Sequence, residues 1–153
     1  RESVMSGLND LYQEILLEHN SKPRNFKIID PHTHYKEGFN PLCGDRIQLY
    51  VDMQDGIVSD ISFQGSGCAI SRASTSMLTE TIKGQSIDKA NLVFEEVRKM
   101  LTEPDAELNL EVLGDLEMLS GVTDFPVRIK CAMLSWHALK SLLENSEDPV
   151  STE

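Results

Sequence analysis

DRIQLYVDMQDGIVSDISFQ, residues 45–64, decides the fold. In Asp45–Met53, Ile47, Leu49, Val51 and Met53 alternate with Arg46, Gln48, Tyr50 and Asp52, the period of a half-buried strand. Asp55-Gly56 is a strong two-residue hairpin turn. Ile57–Gln64 is the return strand, with Ile57, Ile61 and Phe63 on one face and Ser59 tolerated among them.

Helices are expected on both sides of this hairpin. Upstream, GLNDLYQEILLEH (7–19) sets Leu8, Leu11, Ile15 and Leu16 at helical spacing, and Pro23 in NSKPR breaks the run. Residues 25–42 show no clear period; a short strand is expected near Lys27–Asp30 or His34–Glu37. Downstream, Gly65-Ser66-Gly67 ends the sheet. Ala69–Lys83 reads as a helix with Ile70, Ala73, Met77 and Leu78 on one side, stopped by Gly84. Ser86 is the expected N-cap of the next helix, whose apolar positions run from Ile87 to Leu101 before Pro104 ends it. Residues 105–125 are acidic, and Leu113, Leu116 and Leu119 suggest helical turns. After Pro126 a last helix is expected over Cys131–Leu143, with Ala132, Trp136, Leu139 and Leu143 as its buried stripe. The expected class is therefore α+β: a small antiparallel sheet packed by helices. One domain is expected over residues 1–153, with 1–6 and 145–153 as flexible ends.

The chain has 153 residues, enough to bury a core without a disulfide staple. Its formal net charge of −11 argues against nucleic acid and against an anionic membrane surface as partners. Met100–Val127 holds seven acids and no base, which is either a solvated cover or a face for a basic partner. The longest aliphatic run is Ile15-Leu16-Leu17, far short of a membrane span. RESVMSGLND carries no secretory apolar segment, so a cytoplasmic location is expected. In a reducing compartment the three cysteines are expected to be free, reactive or metal-bound.

Those cysteines carry the chemistry. Cys43 lies in the loop NPLCGD, Cys68 follows Gly-Ser-Gly and opens a helix, and Cys131 follows PVRIK and is expected to open another. A helix start favours a thiolate, which is both nucleophile and metal ligand. No Cys-x-x-Cys knuckle is present; 24 residues separate Cys43 from Cys68 and 62 separate Cys68 from Cys131. A lone buried cysteine is an ordinary small apolar residue. The shared setting, at element boundaries that can converge on one end of a domain, favours a common site. Asp45, two residues from Cys43, points the same way in an extended segment, so both can reach one ion. Three thiolates and a carboxylate form a tetrahedral zinc set; the plain alternative is that Asp45 only caps its loop. Arg46, Arg128 and Lys130 adjoin these residues and can offset the excess negative charge. His19, His32, His34 and His137 read as structural or surface groups. No phosphate-binding loop or nucleophile elbow occurs.

NPLCGD, FQGSGCAISRASTSML and FPVRIKCAMLSW together resemble the three cysteine motifs of the NifU N-terminal/IscU-like iron–sulfur assembly family, from about Leu8 to Leu143. Two features resemble its SufU branch: the extra stretch GDLEMLSGVTDFP before the third cysteine, and Lys130 where IscU scaffolds carry a histidine. The resemblance implies an α+β fold with the cysteines gathered at one end. It implies zinc held by Cys43, Asp45, Cys68 and Cys131, and a SufS-type cysteine desulfurase as partner. Cys43, in a Gly- and Pro-bearing loop, is then the group expected to accept persulfide sulfur and pass it to the downstream Suf assembly proteins. The alternative within the family is a scaffold holding a transient [2Fe–2S] cluster on the same residues, and outside it a structural zinc module that only binds a partner.

Overall fold

The structure, a computed structural model, describes residues 13–145 and 150–151. Strands β2 (Asp45–Gln54) and β3 (Ile57–Ser66) form the expected hairpin. Its turn residues Asp55 and Gly56 have φ of +51° and +76°, the left-handed pair that matches the twist of the flanking strands. A register shift between Asp52 and Met53 changes which residues face inward. Beyond the shift Val58 is fully buried, whereas Ile57, expected on the core face, is 38% exposed. A bulge adds one residue to one strand and so reverses side-chain parity past it.

Strand β1 (His34–Asn40) lies antiparallel to β2, with Asn40 opposite Asp45. Of the two places expected for this strand the second is correct; Lys27–Asp30 forms none, although Phe26 bridges to Phe63. A fourth strand, β4 (Val150–Ser151), pairs parallel with Gly38 and Phe39, giving the order β3-β2-β1-β4. The sheet is therefore mixed rather than purely antiparallel. Part of the expected free end, 145–153, thus covers the β1 edge at Gly38 and Phe39. The other expected flexible end, residues 1–6, lies outside the described residues, as do Leu8 and Leu11.

One face of the sheet carries Leu49, Val51, Ile61 and Phe63 into a core completed by the helices. Helix α1 (13–21) lays Ile15 and Leu16 on that core. Helix α2 (Ala69–Ile82) and helix α3 (Ile87–Thr102) follow, the latter capped by the Ser86 hydroxyl, which accepts from the Lys89 N–H at 3.1 Å. The acidic stretch folds into the short helix α4 (Leu110–Leu113) and a 3-10 segment (Gly114–Val122), burying Leu113, Leu116 and Leu119. Helix α5 spans Pro126–Leu143. It begins five residues before the expected Cys131, because a proline at the first helical position sacrifices no hydrogen bond. Ala132, Trp136 and Leu139 are buried as expected, whereas Leu143 is only half-buried. No helix among the described residues is long and apolar enough to cross a membrane.

The contact between α2 and α5 positions the site. Ala73 and a row of small hydroxyl residues in α2 let the backbones approach closely. The Ser74 hydroxyl donates to the Ala132 carbonyl at 2.6 Å and accepts from the Trp136 indole at 3.1 Å. The Thr75 hydroxyl donates to the Ser71 carbonyl at 2.8 Å. Buried hydroxyls that find such partners do not destabilise a core.

Helix α1 docks on α2 through His19, whose Nδ1 lies 2.8 Å from the Ser76 hydroxyl and whose Nε2 lies 3.9 Å from Glu80. Burial holds its pKa below the usual histidine value and Arg24 adds to this; Glu80, Glu18 and Asp115 oppose it and lose. A depressed imidazole pKa contributes stability above the unfolded value, about 6.5, that is lost as pH falls through the folded value. Thermal unfolding followed downward from about pH 7.5 should show a falling midpoint below about pH 6.5, and His19→Gln should flatten that part of the slope.

Candidate metal centre

The first residue of β2 anchors this end of the molecule. Asp45 is fully buried, which a carboxylate tolerates only with partners. Its Oδ1 accepts from the Cys68 backbone N–H at 2.7 Å, and its Oδ2 accepts from the Asn40 side-chain amide at 3.2 Å. Gly67 makes room for it. With φ at +155°, a Cβ there would collide with Asp45 Oδ1 and stand 3.0 Å from the Asp45 Cα.

Three sulfurs surround the carboxylate. Cys43 is half-buried on the turn between β1 and β2, next to Gly44 at φ +71°. Its Sγ lies 3.2 Å from the Sγ of Cys131. Cys131 is buried on α5, with Asn40 Nδ2 at 3.5 Å from its sulfur. Donor atoms of Cys43, Asp45 and Cys131 all lie within 4.8 Å of one another. Cys68 borders this group: it is half-buried at the N-cap of α2, its thiol 3.9 Å from Asp45 Oδ2. All four expected residues thus meet at one end of the sheet, three in a tight group and Cys68 beside it.

One electrostatic expectation is overturned. Cys131 does not sit at a helix start, because α5 begins at Pro126. Burial pushes its thiol pKa well above the usual cysteine value, and hydrogen bonding with Cys43, Asp45 and Cys68 adds to this. Of the three cations expected to offset negative charge, Arg128 does so. The Cys131 thiol and the charges of Cys68 and Cys43 act on its guanidinium and raise its pKa. Arg46 instead pairs with Glu37 at 3.4 Å. Lys130 lines a separate hollow of about 200 Å³ with Ile129, Met133 and His137.

The histidines stand elsewhere, as expected. His32 Nδ1 is 2.9 Å from the Ile29 carbonyl, His34 Nε2 is 3.2 Å from Asn145 Oδ1, and His137 meets the Phe94 ring edge-on. Sequence reasoning missed Asn40, although it opens the NPLCGD string.

The donor set suits a tetrahedral cation. Bonds of about 2.3 Å to sulfur and about 2.0 Å to oxygen require donor–donor edges of roughly 3.5–3.8 Å. The 3.2 Å sulfur–sulfur separation is shorter than its edge and the 3.9 Å sulfur–oxygen separation longer than its own, each by about half an ångström, so small side-chain shifts would let the four donors share one ion. A cation shared by the four groups would also stabilise the thiolate forms that burial disfavours.

A family model described as NifU-like N terminal domain matches residues 11–132. The zinc-dependent sulfurtransferase SufU of Bacillus subtilis (strain 168) is 39% identical over 145 residues, covering 95% of this chain and 97% of that protein. The iron–sulfur cluster assembly scaffold protein IscU of Streptococcus pyogenes serotype M1 is 37% identical over 143 residues, covering 94% and 89%. The crystal structure of FiSufU from Fervidobacterium islandicum AW-1 superposes with a TM-score of 0.81 at 30% identity, covering 85% of this chain and 94% of that one.

Two glycines separate packing from backbone strain at this site. Gly44 has positive φ with open space around it, whereas Gly67 is pressed against Asp45. Gly67→Ala should cost about 1–3 kcal/mol and exceed Gly44→Ala in denaturant unfolding. Equal costs would show that contact with Asp45 is not what demands a glycine at residue 67.

Proposed function

The chain belongs to the NifU-like N-terminal domain family of iron–sulfur cluster assembly proteins, and we propose that within it this protein is a zinc-dependent acceptor of persulfide sulfur. The observation that carries this reading is the asymmetry of the site. Asp45 and Cys131 are fully buried and held by neighbours, whereas Cys43 is half-buried on a turn outside the strand ladder. Such a cysteine can meet a partner's sulfur while the rest of the site stays in place.

Cys43, Asp45, Cys68 and Cys131 would hold the zinc. When bound, zinc keeps its cysteine ligands deprotonated at neutral pH. Three thiolates and a carboxylate exceed the charge of a divalent ion by two, and Arg128 is placed to offset part of that excess. The donor is a cysteine desulfurase of the SufS type bearing a persulfide. The Cys43 thiolate attacks the outer sulfur, and a new sulfur–sulfur bond forms on Cys43. The donor's own sulfur–sulfur bond breaks, and its cysteine leaves as a thiolate. The proton on the outer sulfur stays on that sulfur as it moves to Cys43, and no net oxidation or reduction occurs. Downstream Suf assembly proteins would then take the sulfur.

The second reading, a scaffold for a transient [2Fe–2S] cluster on the same residues, is favoured by the 37% identity to the scaffold protein IscU. Three thiolates suit iron–sulfur units as well as zinc. Lys130 in place of a histidine, and the 3-10 segment before α5, favour the first.

Metal analysis of the purified protein, run beside desulfurase turnover with and without it, separates the two. The proposal expects about one zinc per chain, faster turnover in its presence, and no acceleration by Cys43→Ala. Iron and sulfide without acceleration would replace it with the scaffold reading.

A further inference from the structure

We infer that Asn40 is the positioning residue of this centre: its amide holds Asp45 and Cys131 at a fixed separation, independently of Cys43. The inference rests on the reading of these residues as metal ligands. Asn40 ends β1 directly opposite Asp45 and is fully buried. Its Nδ2 donates to Asp45 Oδ2 at 3.2 Å and to Cys131 Sγ at 3.5 Å, spanning a strand and a helix with one group. Both acceptors are anionic when they bind a cation, so the amide can present only its NH2 to them. The reversed amide would set one oxygen against another.

The opposite end of the side chain strengthens the argument. Asn40 Oδ1 is buried and has no hydrogen-bond partner among the described residues. A leucine would fill the same space without stranding a polar oxygen. An asparagine here carries that cost, and what it offers in return is two N–H donors aimed at two candidate ligands. N–H donation to a ligating sulfur or carboxylate orients the ligand and tunes its basicity, the role of outer groups around metal centres generally. Cys43 receives no such support from Asn40, which fits a division between fixed donors and an exchangeable one.

The test compares the full chain with Asn40→Leu, using Zn²⁺ competed against a chromophoric chelator and Co²⁺ as a spectroscopic probe. Asn40→Leu should weaken zinc binding about 10- to 100-fold. It should also move the thiolate-to-cobalt charge-transfer band to lower energy, because the sulfur loses an N–H donor. Unchanged affinity and an unchanged band in the folded variant would reduce Asn40 to a space filler and overturn the inference. In the unmodified chain loaded with an NMR-active cadmium isotope, the Asn40 side-chain protons should show scalar coupling to the metal through the N–H···S bond. Absence of that coupling overturns the inference even if the variant fails to fold. An unmodified chain that binds none of these ions overturns the metal reading as well, whereas normal binding matched by Asn40→Leu removes only the role of Asn40.

Discussion

A carboxylate sealed from water organises this end of the molecule. Asp45 has no exposed surface, so every lone pair it keeps must find a donor within the protein. One oxygen takes the Cys68 backbone N–H, which fixes the junction between β3 and α2. The other takes the Asn40 amide, which fixes the end of β1. Gly67 is the residue whose missing side chain lets the carboxylate in. The end of β1 and the β3–α2 junction are thus both held to the start of β2 by one buried charge.

The helices obey a matching constraint. An α2 rich in serine and threonine would be a poor core helix if its hydroxyls lacked partners. Ser74 meets this by accepting from Trp136 and donating to Ala132, whereas the buried Ser71 hydroxyl has no partner among the described residues; small side chains then let α5 pass close by. That close passage puts Cys131 beside Cys43 instead of on the surface. The same passage deprives the Cys131 thiol of water, so its ionisation depends on the charges gathered around it. Arg128, one helical turn earlier on α5, is a positive group on an otherwise acidic chain, placed where negative charge accumulates.

Much of this was legible in the residues. The alternation around Asp55-Gly56 specified the hairpin, and Ser86 specified a helix start, because both signals are local. The bulge between Asp52 and Met53 was not legible, since it depends on pairing rather than on composition, and it exchanged Ile57 for Val58 in the core. The start of α5 lies at Pro126 and not at Cys131, because a proline at the first helical position opens a helix and a cysteine has no such effect. Two residues of β4 carry no period at all. Cys43 and Asp45 were legible as a pair from their spacing, and the joining of all four residues from boundaries and from resemblance. Asn40 was invisible because its value lies in where two N–H groups point, which only tertiary structure reveals.

The turn that bears Cys43 also sets a leash. Asn40 and Asp45 are paired across the ladder, so residues 41–44 form a short closed bridge. Two residues span at most about 7 Å, and that bounds how far the Cys43 backbone can stray from Asp45. The backbone of Cys43 is therefore leashed to the strand end, and only its side chain can exchange. On the proposed reading, a donor or recipient of sulfur would bring its own reactive atom here on a protruding segment, and two such visitors, needing the same few ångströms, would call in turn.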